Sequence, residues 1–411
     1  MQSNPITHAY CVALDQADAL AHCRARFELP DGIIYLDGNS LGALPSSVQP
    51  RMAQAIGQEW GVGLIRSWND AHWYSAPQRV GARIAQLVGA SAGEVIAADS
   101  ISVNLFKVLV AALRMRPGRQ KILGEQGNFP TDSYIASGVA ELMHAQYVAT
   151  EPDKLLDAID DSIAVVSLTH VNYKSGRIHD MAGITRRAHA VGALVVWDLA
   201  HTAGAMPCAL NACHVDFAVG CGYKYLNGGP GAPAFVYAAQ QHHAALDQPL
   251  KGWFGHANPF AFADSYVPAS GMNRMLVGTT SQLGMIALEA ALEAFEGVDM
   301  QALRRKSEAL TELFISLVDQ RLTGFGLATP REVAQRGSQV ALTHPQGYAI
   351  MQALIARAVI GDYRAPDVLR FGFAPLYVSF EDVWNAVAQL KNVMDTQAWS
   401  APAFQQAKTV T

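Results

Sequence analysis

Residues 220–231 read GCGYKYLNGGPG, with one amine, Lys224, set between two tyrosines and among glycines just after an apolar run, VDFAVG. A lysine serving only as solvated surface needs neither the aromatic bracket nor the buried approach. Lys224 is therefore a candidate working amine. Asp198 lies 26 residues earlier, at the end of the strongly apolar ALVVWD, and His201 follows it in DLAHTAGA. A carboxylate at such a tip loses hydration and needs a cation or donor in return. The competing reading of Asp198 is an acid that caps a turn.

Two further segments place polar residues where an apolar stretch begins. ADSISVNLFKVLVAAL sets Ser100 and Ser102 around the start of an apolar helix. Helix N-terminal N–H groups suit a phosphate, although an N-cap serine needs no ligand. GNFPTDSY opens another helix with Phe129, Pro130, Thr131 and Asp132. Proline at the first helical position and an acid in the first turn are routine there, and Phe129 equally offers a flat face to an aromatic cofactor. Taken together in chain order, from Ser100 through Phe129 and Asp198 to Lys224, the four segments match what pyridoxal 5'-phosphate requires. The lysine forms a Schiff base with the aldehyde, and the acid keeps the ring nitrogen protonated so that the ring accepts electrons. NGGPG, residues 227–231, lets the backbone turn away without crowding the cofactor.

These residues need a scaffold that brings strand ends together. Between about 95 and 240, KILGEQG, AQYVAT, AVVSLTH and ALVVWDLAH read as strands, with FPTDSYIASGVAEL and MAGITRRAHAVG as helices between them. The alternation predicts an α/β fold with a mainly parallel sheet covered by helices on both faces. In such sheets ligands sit outside the carboxyl ends of the strands. Past Gly278, TTSQLGMIALEAALEAFEG reads as a long helix. SQVALTH, AVIGDYR and VLRFGFA then read as strands and GYAIMQALIARA and SFEDVWNAVAQLKNVM as helices of a smaller α+β C-terminal domain. The expected division is an N-terminal arm over 1–35 that packs with the small domain, a large domain over 36–277, and the small domain over 278–411. The tail SAPAFQQAKTVT is expected to fray.

The chain has 411 residues, 50% hydrophobic and 16% charged, with a net charge of −5. That balance and the lack of a Lys/Arg block argue against nucleic-acid or anionic-membrane partners and favour buried strands and a subunit interface. The start, MQSNPITHAYC, has no signal-peptide pattern, and no apolar run is long enough for a membrane helix. The five cysteines, Cys11, Cys23, Cys208, Cys213 and Cys221, suit reduced thiols of the cytoplasm. Cys208, Cys213 and His214 lack a fourth ligand at zinc spacing, so no metal is expected.

The ordered segments YLDGNSLG, NFPTD, WDLAHTAGA, GYKYLNGGPG, GWFGH and LRFGFAPLY resemble the kynureninase family of fold-type I pyridoxal-phosphate enzymes, over nearly the whole chain. The resemblance implies that Lys224 carries the internal aldimine, Asp198 pairs with the pyridine nitrogen, and His201 is a further cofactor contact. Ile101 and Ser102 would line the phosphate end, Phe129, Pro130, Thr131 and Asp132 would flank the ring, and Tyr223 would contact the phosphate and move protons. Trp253 of GWFGH and Thr279 of VGTTS would reach the cofactor across a homodimer interface; relatives can carry asparagine where this chain has Thr279. Arg370 would grip the substrate α-carboxylate with two parallel hydrogen bonds. The alternation V-L-R-F-G-F leaves open that it instead faces solvent. RSWNDAHWY, with Trp68 and His72, reads either as a wall for the substrate's aromatic ring or as core packing.

The implied reaction is hydrolytic cleavage of the Cβ–Cγ bond of L-kynurenine to anthranilate and L-alanine, a step of tryptophan catabolism, through aldimine and ketimine intermediates. A class V aminotransferase or a cysteine desulfurase is the rival on the same scaffold. Desulfurases need a mobile cysteine, and here every cysteine lies at or before Cys221. A silent binding protein would lose Lys224 or Asp198, and no Walker-type phosphate loop is present for a nucleotide enzyme.

Overall fold

In the computed structural model, which describes residues 5–406, Ile34–Tyr35 (β1) precedes seven strands of one sheet. These are Val95–Ala97 (β2), Lys121–Glu125 (β3), Gln146–Thr150 (β4), Ile163–Thr169 (β5), Leu194–Asp198 (β6), Phe217–Gly220 (β7) and Phe235–Ala238 (β8). Their order is β2-β8-β7-β6-β5-β3-β4. Strands β3 to β7 run parallel, while β8 pairs antiparallel with both β7 and β2.

Burial explains the sequence of the central strands. IAVVSLT of β5 and LVVWD of β6 are buried at every position. A strand covered on both faces has to be apolar throughout instead of alternating with polar residues. The two-residue period then divides the side chains between two cores. Val195 and Trp197 enter one, which the helices Ala76–Val88 and Met181–Ala190 help to close, and Leu194 and Val196 enter the other, under Ile101–Arg114 and Pro130–Leu142.

The first core runs on without a break into a second, antiparallel sheet. Its strands are Gly326–Leu327 (β9), Gln339–Thr343 (β10), Asp362–Arg364 (β12) and Val368–Gly372 (β13), in the order β12-β13-β10-β9. Val359–Ile360 (β11) pairs with β1 instead. Helices Met300–Arg321 and Phe380–Asp395 pack together beside this sheet, and the N-terminal helix His8–Ala17 lies on the latter.

Three elements differ from the sequence expectation. The helix expected after Gly278 begins only at Gln282, behind Ser281, and gives way to a 3₁₀ turn after Ala291, so Thr279 stays in an exposed irregular stretch. AVIGDYR is two strands, because Gly361 passes so close to β13 that a Cβ there would lie 2.7 Å from the Arg370 carbonyl oxygen; the chain changes sheets at that point. The tail expected to fray forms a helical turn at Pro402–Gln405, and residues 407–411 lie outside the described residues.

The parallel run of β3, β5, β6 and β7 decides where chemistry can happen. It brings Glu125, Thr169, Asp198 and Gly220 to one edge of the sheet.

Candidate active site

The loop that leaves β7 is held from outside. The Gly42 N–H donates to the Tyr223 carbonyl at 2.8 Å, and a Cβ on Gly42 would lie 2.2 Å from the Lys224 carbonyl oxygen. Only glycine permits that approach, which is the physical meaning of GNSLG beside the lysine loop. Lys224 Nζ lies 2.9 Å from His201 Nε2, and His201 Nδ1 lies 2.9 Å from Gln339 Oε1. The amide orientation of Gln339 follows from its Nε2, which donates to the Tyr173 carbonyl at 2.8 Å. Since Gln339 Oε1 can only accept, Nδ1 carries the imidazole proton and Nε2 turns its lone pair to Lys224. Burial, reinforced by the charges of Lys224 and Arg370, holds His201 well below the usual histidine range, so the ring is neutral.

Asp198 is buried at the tip of β6, where its Oδ1 accepts from the Ala200 N–H at 2.6 Å. Asp132, in the first turn of Pro130–Leu142, faces it. Burial raises both carboxyls, and for Asp132 the neighbouring Asp198 charge raises it further. Two carboxyls so close cannot both ionise, and Asp132 keeps the proton and donates to Asp198. Asp132 Oδ1 is buried with no partner.

A cavity of about 340 Å³ extends from this pair to the start of helix Ile101–Arg114. Asp198, His201 and Lys224 line it together with Phe129, Thr131, Asp132, Tyr223, Ile101 and Ser102. Ser100 caps the helix, its Oγ accepting from the Val103 N–H at 3.4 Å, so the free N–H groups of the first turn point to the cavity. Phe129 forms one wall, with its ring edge-to-face on Tyr173 at 5.3 Å and Lys224 Nζ 5.8 Å from its centroid. Burial pushes the Tyr223 phenol up, so it stays protonated at neutral pH.

Other sequence candidates stand apart from that cavity. Pro130 is exposed at the helix start and does not line the cavity. Trp253, 39% exposed, packs on Phe254 at 4.8 Å and Phe260 at 5.8 Å, and Thr279 is exposed. Trp68 sits edge-to-face on Trp73 and Phe254 against the second core, and His72 is exposed with φ 55°. For Arg370 the solvent-facing alternative falls, since the residue is 2% exposed. Its Nε donates to Asp362 Oδ1 at 2.7 Å, its Nη1 to the Tyr173 carbonyl at 2.6 Å, and its Nη2 to Asp362 Oδ2 and to Ser40 Oγ.

Tyr173, Gln339 and Asp362 escaped the sequence reading. Tyr173 was within reach of it, because HVNYKSG follows β5 just as DLAH follows β6, and both strand ends belong to one edge. Gln339 and Asp362 carry no local signal; they arrive from the small sheet.

The donor set fits pyridoxal phosphate. An amine at a neutral imidazole, free helix N–H groups and a buried acid pair with one unpartnered oxygen correspond to its aldehyde, phosphate and protonated ring nitrogen. The family model described as "Kynureninase C-terminal domain" matches residues 303–390. Proteins named kynureninase from Burkholderia pseudomallei (strain 1106a) and Pseudomonas fluorescens are each 51% identical over 98% of this chain, covering 100% and 99% of their own lengths. The solved structure of the cysteine desulfurase CsdA from Escherichia coli superposes with TM-score 0.77 at 20% identity, over 92% of this chain and 98% of that one. A C-DES structure with glycine linked covalently to its PLP cofactor gives 0.79 at 18% identity, over 90% and 99%. These two solved structures share the fold; the near full-length identity carries more, and by it the chain belongs to the kynureninase family.

Proposed function

We propose that this protein is a pyridoxal-phosphate-dependent hydrolase that cleaves the Cβ–Cγ bond of L-kynurenine, with water, to anthranilate and L-alanine. The observation that carries the reading is the Lys224–His201 contact beside the Asp132–Asp198 acid pair, at the parallel strand ends of a chain 51% identical to kynureninases. Pyridoxal phosphate, when bound, supplies an electron sink for the carbanionic character that the substrate's α- and β-carbons must bear.

The rest of the work falls to the chain's own residues. Asp198, buried and backed by protonated Asp132, provides the negative charge that keeps a pyridine nitrogen protonated. Neutral His201 accepts from Lys224 and orients its amine, which removes the substrate α-proton. Tyr223, protonated and half-buried at the cavity wall, delivers a proton during addition of water to the γ-carbonyl. Ile101, Ser102 and the helix start hold the phosphate, and Phe129 and Thr131 flank the ring. Arg370 binds the α-carboxylate by exchanging its Tyr173 carbonyl contact for a carboxylate oxygen.

The working unit of this reading is a homodimer. Ile56, Trp60, Val62, Leu64 and Ile65 form one exposed apolar stretch, with Ile65 77% exposed, and Phe260 and Phe262 form another beside Trp253. Burying both in a second copy would carry Trp253 and Thr279 into that copy's cofactor site, and Trp68 and His72 would then flank the substrate's aromatic ring. The free cysteines support a cytoplasmic location, and no helix among the described residues is long and apolar enough to cross a membrane. Mixing the purified holoenzyme with L-kynurenine should release fluorescent anthranilate and one equivalent of alanine. Release of a keto acid without anthranilate would instead support an aminotransferase.

A further inference from the structure

The clamp around Arg370 contains more carboxyl groups than it needs to hold an arginine. Asp362 uses both oxygens. Oδ1 accepts from Arg370 Nε, and Oδ2 accepts from Arg370 Nη2, from Arg364 Nη2 at 2.7 Å and from Ser40 Oγ at 2.7 Å. Two guanidinium groups against one carboxylate leave one positive charge over, which a monocarboxylate ligand would neutralise. A second carboxyl, Asp37, lies in the same cluster. It follows β1 and bridges to Gly372, two residues beyond Arg370, where the Gly372 N–H donates to the Leu36 carbonyl at 2.7 Å. Asp37 Oδ1 is buried without a partner.

We propose that Asp37 is a positioning residue whose proton sets the charge of this clamp, so that docking of the substrate α-carboxylate on Arg370 is coupled to proton uptake by Asp37. The inference rests on the amino-acid-binding role proposed above for Arg370. With Asp37 ionised the cluster is neutral and has no charge left for a ligand carboxylate. With Asp37 protonated, one positive charge is available. An arriving carboxylate therefore favours the protonated acid, and rising pH works against binding.

Burial, then the Asp362 charge, pushes the Asp37 carboxyl up to about 7, against the pull of Ser40, Arg370 and Arg364. The other groups facing it are three phenols, Tyr35 of β1, Tyr225 of the lysine loop and Tyr377 beyond β13. Burial raises all three, so they stay neutral through the range in which Asp37 titrates. Asp362 is held below the usual carboxylate range: burial raises it, but its hydrogen bonds and charge pairing with Arg370 outweigh that.

The test uses holoenzyme and 4-oxo-4-phenylbutanoate, a keto acid that keeps the substrate's carboxylate but has no amine to react or titrate. Its inhibition constant against L-kynurenine should rise about tenfold between pH 6 and pH 8.5 in the wild type, the size expected for one carboxyl titrating near neutrality. In Asp37→Asn the rise should vanish, and the corresponding carboxamide should show no slope in either protein. Calorimetry of wild type in two buffers of different ionisation enthalpy should find proton uptake at pH 7.5, a readout that does not depend on the variant folding. A flat wild-type profile, absent proton uptake, or equal slopes in wild type and Asp37→Asn would overturn the inference. A protein that makes no anthranilate at any pH would instead overturn the functional reading on which it rests.

Discussion

Lys224 and His201 meet at 2.9 Å although they leave different strands, and the histidine is fixed from behind by Gln339 of the small sheet. The amine thus meets a neutral imidazole nitrogen, which orients it.

Replacing Lys224 with alanine should remove the covalent cofactor adduct. Borohydride treatment followed by peptide mass spectrometry should find the reduced cofactor on the Lys224 peptide of the wild type and on no peptide of Lys224→Ala. Anthranilate release should fall by about a thousandfold or more. His201→Ala should keep the adduct and lower kcat by about tenfold to a hundredfold, because it frees the amine without deleting it.

The acid pair predicts a conflict between stability and function. Asp132 binds its proton more tightly in the folded state than in the unfolded chain, so the cofactor-free protein loses stability as pH rises above the ordinary aspartate range toward the raised value. Asp132→Asn removes that loss. Its cofactor-free form should gain about 1 kcal/mol, the usual size for relief of active-site strain, with the gain larger at pH 8 than at pH 5. Its cofactor affinity should drop, read by absorbance titration. Asp198→Ala should lower kcat by about a hundredfold or more, since the negative charge that keeps the ring nitrogen protonated is then lost.

If Trp253 and Thr279 complete the neighbouring copy's site, two inactive proteins should rescue each other. Lys224→Ala mixed with the double variant Trp253→Ala/Thr279→Ala, after subunit exchange, should recover about one quarter of wild-type activity, because half of the dimers are mixed and each has one intact site. No recovery, with exchange verified by native mass spectrometry, would place those two residues in the site of their own chain.

Just before β7, buried Asp216 accepts from His189 Nε2 at 2.8 Å, His242 Nε2 at 2.7 Å and the Val195 N–H at 2.9 Å. Burial raises the Asp216 carboxyl, but the bonds from His189 and His242 outweigh it and leave it lowered; the bond to Asp216 raises His189. The aspartate's contribution is present above the ordinary carboxylate range and is lost as pH falls through its depressed value. The His189 contribution is complete below the ordinary histidine range and is lost as pH rises through its raised value. Asp216→Asn should therefore cost about 1–3 kcal/mol of stability, the range for stranding buried hydrogen-bond partners. Urea unfolding should show a larger difference from wild type at pH 5.5 than at pH 8.5.

Much of this site could be read from the chain. Lys224, Asp198, His201, Asp132 and Phe129 end strands or begin helices whose apolar runs are unmistakable, and a parallel sheet gathers its carboxyl ends at one edge whatever the details of packing. Arg370 could be named but not oriented, since a strand in isolation does not say which face will be covered.

The sequence by itself therefore determined the alternating α/β order, the edge at which chemistry collects and the residue types that meet there, because periodicity and strand direction are local properties of the chain. Only the tertiary structure decided that Gln339 would set the His201 tautomer, that Asp362 would occupy Arg370, and that Asp37 would be buried beside them. The His201–Gln339 and Asp37 contacts join residues more than a hundred positions apart, and Asp362 meets Arg370 from directly opposite it on the neighbouring strand of the small sheet. Their existence depends on how one continuous core brings the small sheet down onto the large one, and no stretch of local sequence encodes that.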